Sequence, residues 1–116
     1  METTLTNPGS QTPEFTLDGA LDTLEAENFQ TTVLSAVQQS GNHGVILDCT
    51  LMPYLTSTGL RSFMTIGKAA RANGGDMVLV GLSGLAREIF TASGFSKIFP
   101  MADCVEDARQ RLQSGA

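Results

Sequence analysis

Three consecutive hydroxyls, Thr56-Ser57-Thr58, followed by Gly59, are the residues of this chain whose type and spacing best suit chemistry. A serine or threonine acts as a nucleophile when a base sits beside its hydroxyl, usually with a third group to orient that base. The sole histidine is His43, in a Gly41-Asn42-His43-Gly44 turn. It precedes the apolar run Val45-Ile46-Leu47, whereas Ser57 follows the far end of that run. A strand of about five residues spans roughly 17 Å, which takes His43 out of reach. His43 therefore reads as a surface turn residue. Ser57 also lacks the Gly-x-Ser-x-Gly elbow of hydrolases. The Walker phosphate loop and the Gly-x-Gly-x-x-Gly dinucleotide turn are both missing. Gly81-Leu82-Ser83-Gly84 falls between a strand and a helix, where amides can face a phosphate, but two glycines fit a plain tight turn equally well. The carboxylates are scattered, without a metal-like cluster. No catalytic residue, metal or cofactor is expected.

Modification remains. Simple helix capping by Thr56 or Ser57 would account for the hydroxyls. Phosphorylation would use the same location differently. A phosphate of about −1.5 to −2 charge is tolerated at a helix N-terminus, where free amides and the positive end of the dipole face it. A partner docked over that helix would instead meet a bulky dianion, and burying it could weaken binding by several kcal/mol, about two or more decades.

The elements that must position these hydroxyls are legible from periodicity. Glu2–Thr6 forms either a short edge strand or part of a mobile segment, with turn signals at Asn7-Pro8-Gly9 and Pro13. Glu14-Phe15-Thr16-Leu17-Asp18 alternates as a half-buried strand. A helix capped by Thr23 places Leu24, Phe29, Val33, Leu34 and Val37 along one face and stops at Gly41. Val45-Ile46-Leu47, ending in Asp48-Cys49, reads as a strand covered on both faces. The next helix opens at the hydroxyl triplet, carries Leu60, Phe63, Met64, Gly67 and Ala70, and stops at Asn73-Gly74-Gly75. Met77-Val78-Leu79-Val80 is a second buried strand. A third helix carries Leu85, Ala86, Ile89 and Phe90; Phe95–Phe99 adds a short strand; a last helix starts near Asp103 with Val105, Ala108 and Leu112 inward. This alternation predicts a single-domain α/β fold, a mixed, mostly parallel central sheet packed against about four helices. Ser57 then stands at the carboxyl edge of the sheet, where open α/β sheets bind ligands and partners.

Composition narrows the partners. The 116 residues fit one domain, 41% hydrophobic and 16% charged, with seven basic against twelve acidic residues and a net charge of −5. Nucleic acid is excluded as a partner, since only Arg61, Lys68 and Arg71 approach a basic group. No apolar run is long enough to span or insert in a bilayer, and no signal-like segment opens the chain, so a cytoplasmic location is expected. Cys49 and Cys104 show no metal or redox spacing; Cys49 reads as a small core residue.

Val45-Ile46-Leu47-Asp48 followed by Tyr54-Leu55-Thr56-Ser57-Thr58-Gly59-Leu60-Arg61 resembles the signature of STAS domains, the anti-sigma-factor antagonist family. Three further passages agree in order and separation: Gly19-Ala20-Leu21-Asp22, Ala72–Val80 with its paired glycines, and Phe90–Phe99 with its Gly-Phe-Ser-Lys-Ile-Phe ending. The resemblance runs from about residue 14 to the C-terminus, which assigns residues 13–116 to the STAS domain and residues 1–12 to an N-terminal segment.

The family implies a bacterial partner-switching protein and no enzyme. In its signalling members, a serine kinase that is also an anti-sigma factor, of histidine-kinase-like ATPase fold, binds the unmodified domain and releases its sigma factor. The kinase phosphorylates the serine at the helix start, which dissolves the complex, and a PP2C-type phosphatase reverses it. By position the acceptor is Ser57, with Thr58 as the alternative. The implied partner-binding residues are Thr56, Ser57, Thr58, Gly59, Arg61 and Ser62, on a surface that includes the loop 50–56 and Gly81–Gly84. Thr56 departs from the Asp often found there, and the N-terminal region looks short of the usual strand pair, implying an abbreviated sheet edge. Other family members work without phosphorylation, as accessory subunits of transporters or as signalling scaffolds. A nucleotide-sensing role through residues 81–84 is a third possibility, disfavoured by the negative charge and the missing phosphate loop.

Overall fold

The computed structural model describes residues 1–39 and 44–114, so the expectations for Gly41 and His43 lie outside the described residues. The elements run β1 (Glu2–Leu5), β2 (Glu14–Asp18), α1 (Thr23–Gln39), β3 (Val45–Leu51), α2 (Ser57–Ala72), β4 (Met77–Val80), α3 (Gly84–Ala92), α4 (Phe95–Ile98), β5 (Met101–Ala102) and α5 (Val105–Ser114). They build one five-stranded sheet in sequential order, β1-β2-β3-β4-β5. β1 pairs antiparallel with β2, from Glu2 opposite Asp18 to Leu5 opposite Phe15, and the other neighbours are parallel. The α/β architecture expected from the alternation is the one observed.

Period-two alternation assigns the two faces. Val45, Leu47 and Cys49 of β3 and Met77 and Leu79 of β4 point into the larger core with Phe15 and Leu17. Ile46, Val78 and Val80 point the other way, onto Ala108 of α5. Sequential strand order with right-handed crossovers puts the connecting helices on one face. Accordingly α1 to α4 contribute Phe29, Phe63, Phe90 and Phe95 to the larger core, and α5 alone covers the opposite side. The ring pairs Phe29–Phe63, Phe63–Phe90, Phe90–Phe95 and Phe95–Phe99 have centroids 5.1, 5.0, 5.6 and 5.9 Å apart, tying four helices together. Each such pair adds about 0.5–1.5 kcal/mol beyond its area burial. Gly67 lets α2 approach this row, since a Cβ there would fall 2.2 Å from the Phe99 ring.

Several local expectations are corrected. The N-terminal strand pair is complete, because β1 takes the edge-strand alternative and closes on β2. Phe95–Phe99 is no strand: Phe95 and Phe99, four residues apart, both point inward from a single helical turn, and the edge strand follows at Met101–Ala102. That turn brings the helices to five. The last helix begins at Val105. Leu24 is 89% exposed and Leu85 55% exposed. Leu24 precedes Phe29 by five residues, about 140° away around the helix, so Ala26 takes the inward place in that turn. Leu85 stands five before Phe90 in the same off-face relation, and Ala86 takes the core position.

Candidate functional site

The seat of the hydroxyl triplet is made by backbone. Beyond Asp18 and Leu51 the β2–β3 pairing continues as a run of main-chain bonds between the two following loops. Gly19 N–H donates to Leu51 O at 3.0 Å, Leu21 N–H to Tyr54 O at 3.1 Å and Thr56 N–H to Leu21 O at 3.0 Å. Leu21 and Leu55 form a parallel bridge and are both buried. The first turn of α2 is thereby fixed to the carboxyl edge of the sheet. Thr56 is the N-cap, in extended conformation, and its Oγ1 accepts from Gly59 N–H at 3.3 Å. Gly59 rests on Leu21, where a Cβ would stand 3.0 Å from the Leu21 Cγ and from its carbonyl oxygen. The glycine in the motif is a close-approach residue.

The six predicted binding residues divide. Ser57 is exposed, and its hydroxyl makes no hydrogen bond among the described residues. Arg61, one turn further, is also exposed. Thr56 and Thr58 are half-buried. Thr58 Oγ1 accepts from Thr23 Oγ1 at 3.4 Å, linking α2 to α1. Gly59 and Ser62, also expected at the partner surface, are buried. Ser62 Oγ donates to Ala26 O at 3.2 Å and lies 3.4 Å from Thr58 O, so its hydroxyl joins the helices from within. The cap of α1 is Asp22, one residue before the predicted Thr23; Asp22 Oδ1 accepts from Glu25 N–H at 3.0 Å, which frees Thr23 to reach Thr58.

Among the described residues no base is hydrogen-bonded to the Ser57 hydroxyl. Asp48, at the same sheet edge, accepts from Thr50 N–H at 3.0 Å and Thr50 Oγ1 at 2.6 Å. Cys49 is buried, and desolvation, then the Asp48 charge, push its thiol well above the ordinary range, which suits a core residue. Among the described residues no group of three or more His, Cys, Asp or Glu side chains could hold a metal ion. At the neighbouring loop, Gly81 N–H donates to Ala102 O at 3.1 Å, so that amide is not available to a phosphate. Of the first-turn amides of α2, that of Gly59 is taken by Thr56 Oγ1, while those of Ser57 and Thr58 have no acceptor within the helix.

Sequence reasoning missed the apolar rim. Leu24, Leu51, Tyr54 and Leu85, four of the six large hydrophobics exposed among the described residues, all belong to segments at the carboxyl edge. Periodicity had counted Leu24 and Leu85 as core; helical phase relative to Phe29 and Phe90 is the signal that would have placed them outside. No described helix is long and apolar enough to cross a membrane.

Comparison with known proteins bears on this site. The STAS domain family model matches residues 7–108. A protein of Bordetella bronchiseptica described as a candidate anti-sigma factor antagonist, BtrV, is 35% identical over 92 residues, covering 79% of this chain and 78% of that protein. The anti-sigma factor antagonist SpoIIAA in its unphosphorylated form superposes with a TM-score of 0.83 at 21% identity, over 97% of this chain and 96% of that one. Bacillus SpoIIAA in its phosphorylated form gives 0.73 at 22% identity, over 95% and 98% of the two chains. The fold also recurs within the murine anion transporter Slc26a9, with a TM-score of 0.77 at 16% identity, over 90% of this chain and 18% of the transporter. A mixed, mostly parallel α/β sheet with a glycine-seated Thr-Ser-Thr turn at its carboxyl edge, a family-model match over residues 7–108 and a 35% identical relative named as an anti-sigma factor antagonist make this chain a member of the STAS domain family, among the anti-sigma factor antagonists.

Proposed function

We propose that this protein is an anti-sigma factor antagonist that switches partners through phosphorylation of Ser57. Unmodified, it binds a cytoplasmic serine kinase that doubles as an anti-sigma factor, and so frees a sigma factor for transcription. Phosphorylated, it is released, and a PP2C-type phosphatase returns it to the binding form. The protein acts by binding and not by catalysis.

The observation that carries this reading is the state of one side chain. Ser57 is exposed and unbonded among the described residues, while Thr58, the alternative acceptor, is half-buried and bonded to Thr23. Ser57 is thus the preferred acceptor. Thr56 supplies the cap that Asp supplies elsewhere, and the kinase meets one carboxylate fewer. The rim of Leu24, Leu51, Tyr54 and Leu85 gives a partner apolar surface to cover, with Arg61 as the cation beside it. A dianion introduced inside such a rim would have to be desolvated on binding, which opposes association.

Calorimetric titration of the kinase with Ser57→Ala and Ser57→Asp protein tests the proposal. Ser57→Ala should bind like the unmodified chain, and Ser57→Asp about two decades more weakly, some 2.7 kcal/mol. Equal affinities would instead favour a phosphorylation-independent accessory subunit of a transporter or scaffold.

A further inference from the structure

More than half of the cations of this acidic chain gather at the end of the sheet opposite Ser57. A cavity of about 830 Å³ at the amino edge is lined by Arg71, Lys97, Arg109 and Arg111, four of the seven basic residues, and by only Glu14 and Asp76 of the twelve carboxylates. Four cations less these two carboxylates and Glu106, which is paired with Arg109, leave +1 here, so a chain of net −5 carries −6 elsewhere. The three contributing helices are far apart in sequence: Arg71 ends α2, Lys97 lies in α4, and Arg109 and Arg111 are in α5. Convergence from three elements is what distinguishes a built concavity from a charged helix face.

Two of these cations are fixed and two are free. Arg109 donates twice to the buried carboxylate of Glu14, from Nε at 2.6 Å and Nη2 at 2.8 Å, and from Nη1 to Glu106 at 3.5 Å, which occupies all three of its nitrogens. Arg71 donates from Nε to Asp76 at 3.0 Å and from Nη2 to Ile98 O, and its guanidinium stacks 4.4 Å above the Phe99 ring. Lys97 and Arg111 are exposed and have no partner among the described residues. The exposed cations Lys97 and Arg111, converging with Arg71, whose Nη1 has no partner among the described residues, suit an anion of several charges better than a single carboxylate. The volume lies within the range of small-molecule sites.

We infer that this cavity binds a soluble, polyphosphate-bearing small molecule, coordinated by Lys97 and Arg111 against the fixed face of Arg71 and Arg109. This stands apart from the proposed function: Arg71 lies fourteen residues along α2 from Ser57, about 21 Å away. Either can fail without the other.

Titration of the full chain with sodium tripolyphosphate at low salt tests the inference, with the amide chemical shifts followed in parallel. Saturable binding is expected, with shifts confined to the region of Gly75, Lys97 and Leu112 and none at Ser57–Gly59. The double variant Lys97→Ala/Arg111→Ala should bind about tenfold more weakly or worse, and Arg87→Ala, which removes a cation outside the cavity, should bind as before. Three results would overturn the inference: no saturation at millimolar tripolyphosphate, equal weakening by Arg87→Ala, or adsorption to phosphatidylglycerol vesicles without response to tripolyphosphate. Because the shift map uses the unaltered chain, it decides the matter even if the double variant folds poorly.

Discussion

The two ends of α2 are built on opposite plans. At the first turn, Thr56, Thr58 and Gly59 are all engaged with the fold while the residue among them, Ser57, holds its hydroxyl free. At the last turn, Arg71 is committed on three sides, to Asp76, to Ile98 O and to the Phe99 ring. Both ends of the helix are anchored, the last turn by a long side chain and the first by backbone and cap, so that only the first presents a free hydroxyl. A change of charge at Ser57 need not disturb the packing that holds the helix, which runs along its other face at Gly59, Ser62, Phe63, Ile66, Gly67 and Ala70.

The contrast can be attacked where it is strongest. Phe63→Ala empties the centre of the aromatic row and should cost about 3–5 kcal/mol in chemical denaturation; a loss below about 1 kcal/mol would mean that the helix is held elsewhere. Gly67→Ala drives a methyl into the Phe99 ring and should cost about 1–3 kcal/mol. Combining it with Phe99→Leu should cost less than the two separate losses together, since they share one contact. Thr56→Ala removes the cap at the presenting end, with an expected loss of about 1 kcal/mol in thermal unfolding. The mildest change is Ser57→Asp, which adds charge beside free amides and should raise stability by about 0.3–1 kcal/mol at low salt. Clear destabilisation by that substitution would erase the distinction between the two ends.

What the sequence disclosed and what it hid follow from range. Val45-Ile46-Leu47 and Met77–Val80 declared themselves as strands because burial on both faces leaves no polar alternation to misread. Ser57 could be placed at the carboxyl edge because a parallel strand and the following helix dictate where their connection lies. The errors came from contacts that local patterning does not encode. Leu24 and Leu85 look like core until their phase is fixed by Phe29 and Phe90. Phe95-Ser96-Lys97-Ile98-Phe99 fits a strand as well as a helical turn until both phenylalanines must reach the same core. Ser62 reads as surface until α1 supplies the carbonyl of Ala26. The cationic cavity depends on residues as distant as Glu14 and Arg109, ninety-five positions apart, which no local window brings together.

The main-chain ladder joining residues 19–21 to 51–56 has an evolutionary corollary. It fixes Ser57 through amides and carbonyls that nearly any amino acid provides. The side chains of Leu51, Pro53 and Tyr54 are exposed and none of them is required to hold the turn. Under the phosphorylation proposed above, those residues, and with them the surface a partner reads, can vary while the Ser57 hydroxyl keeps its place.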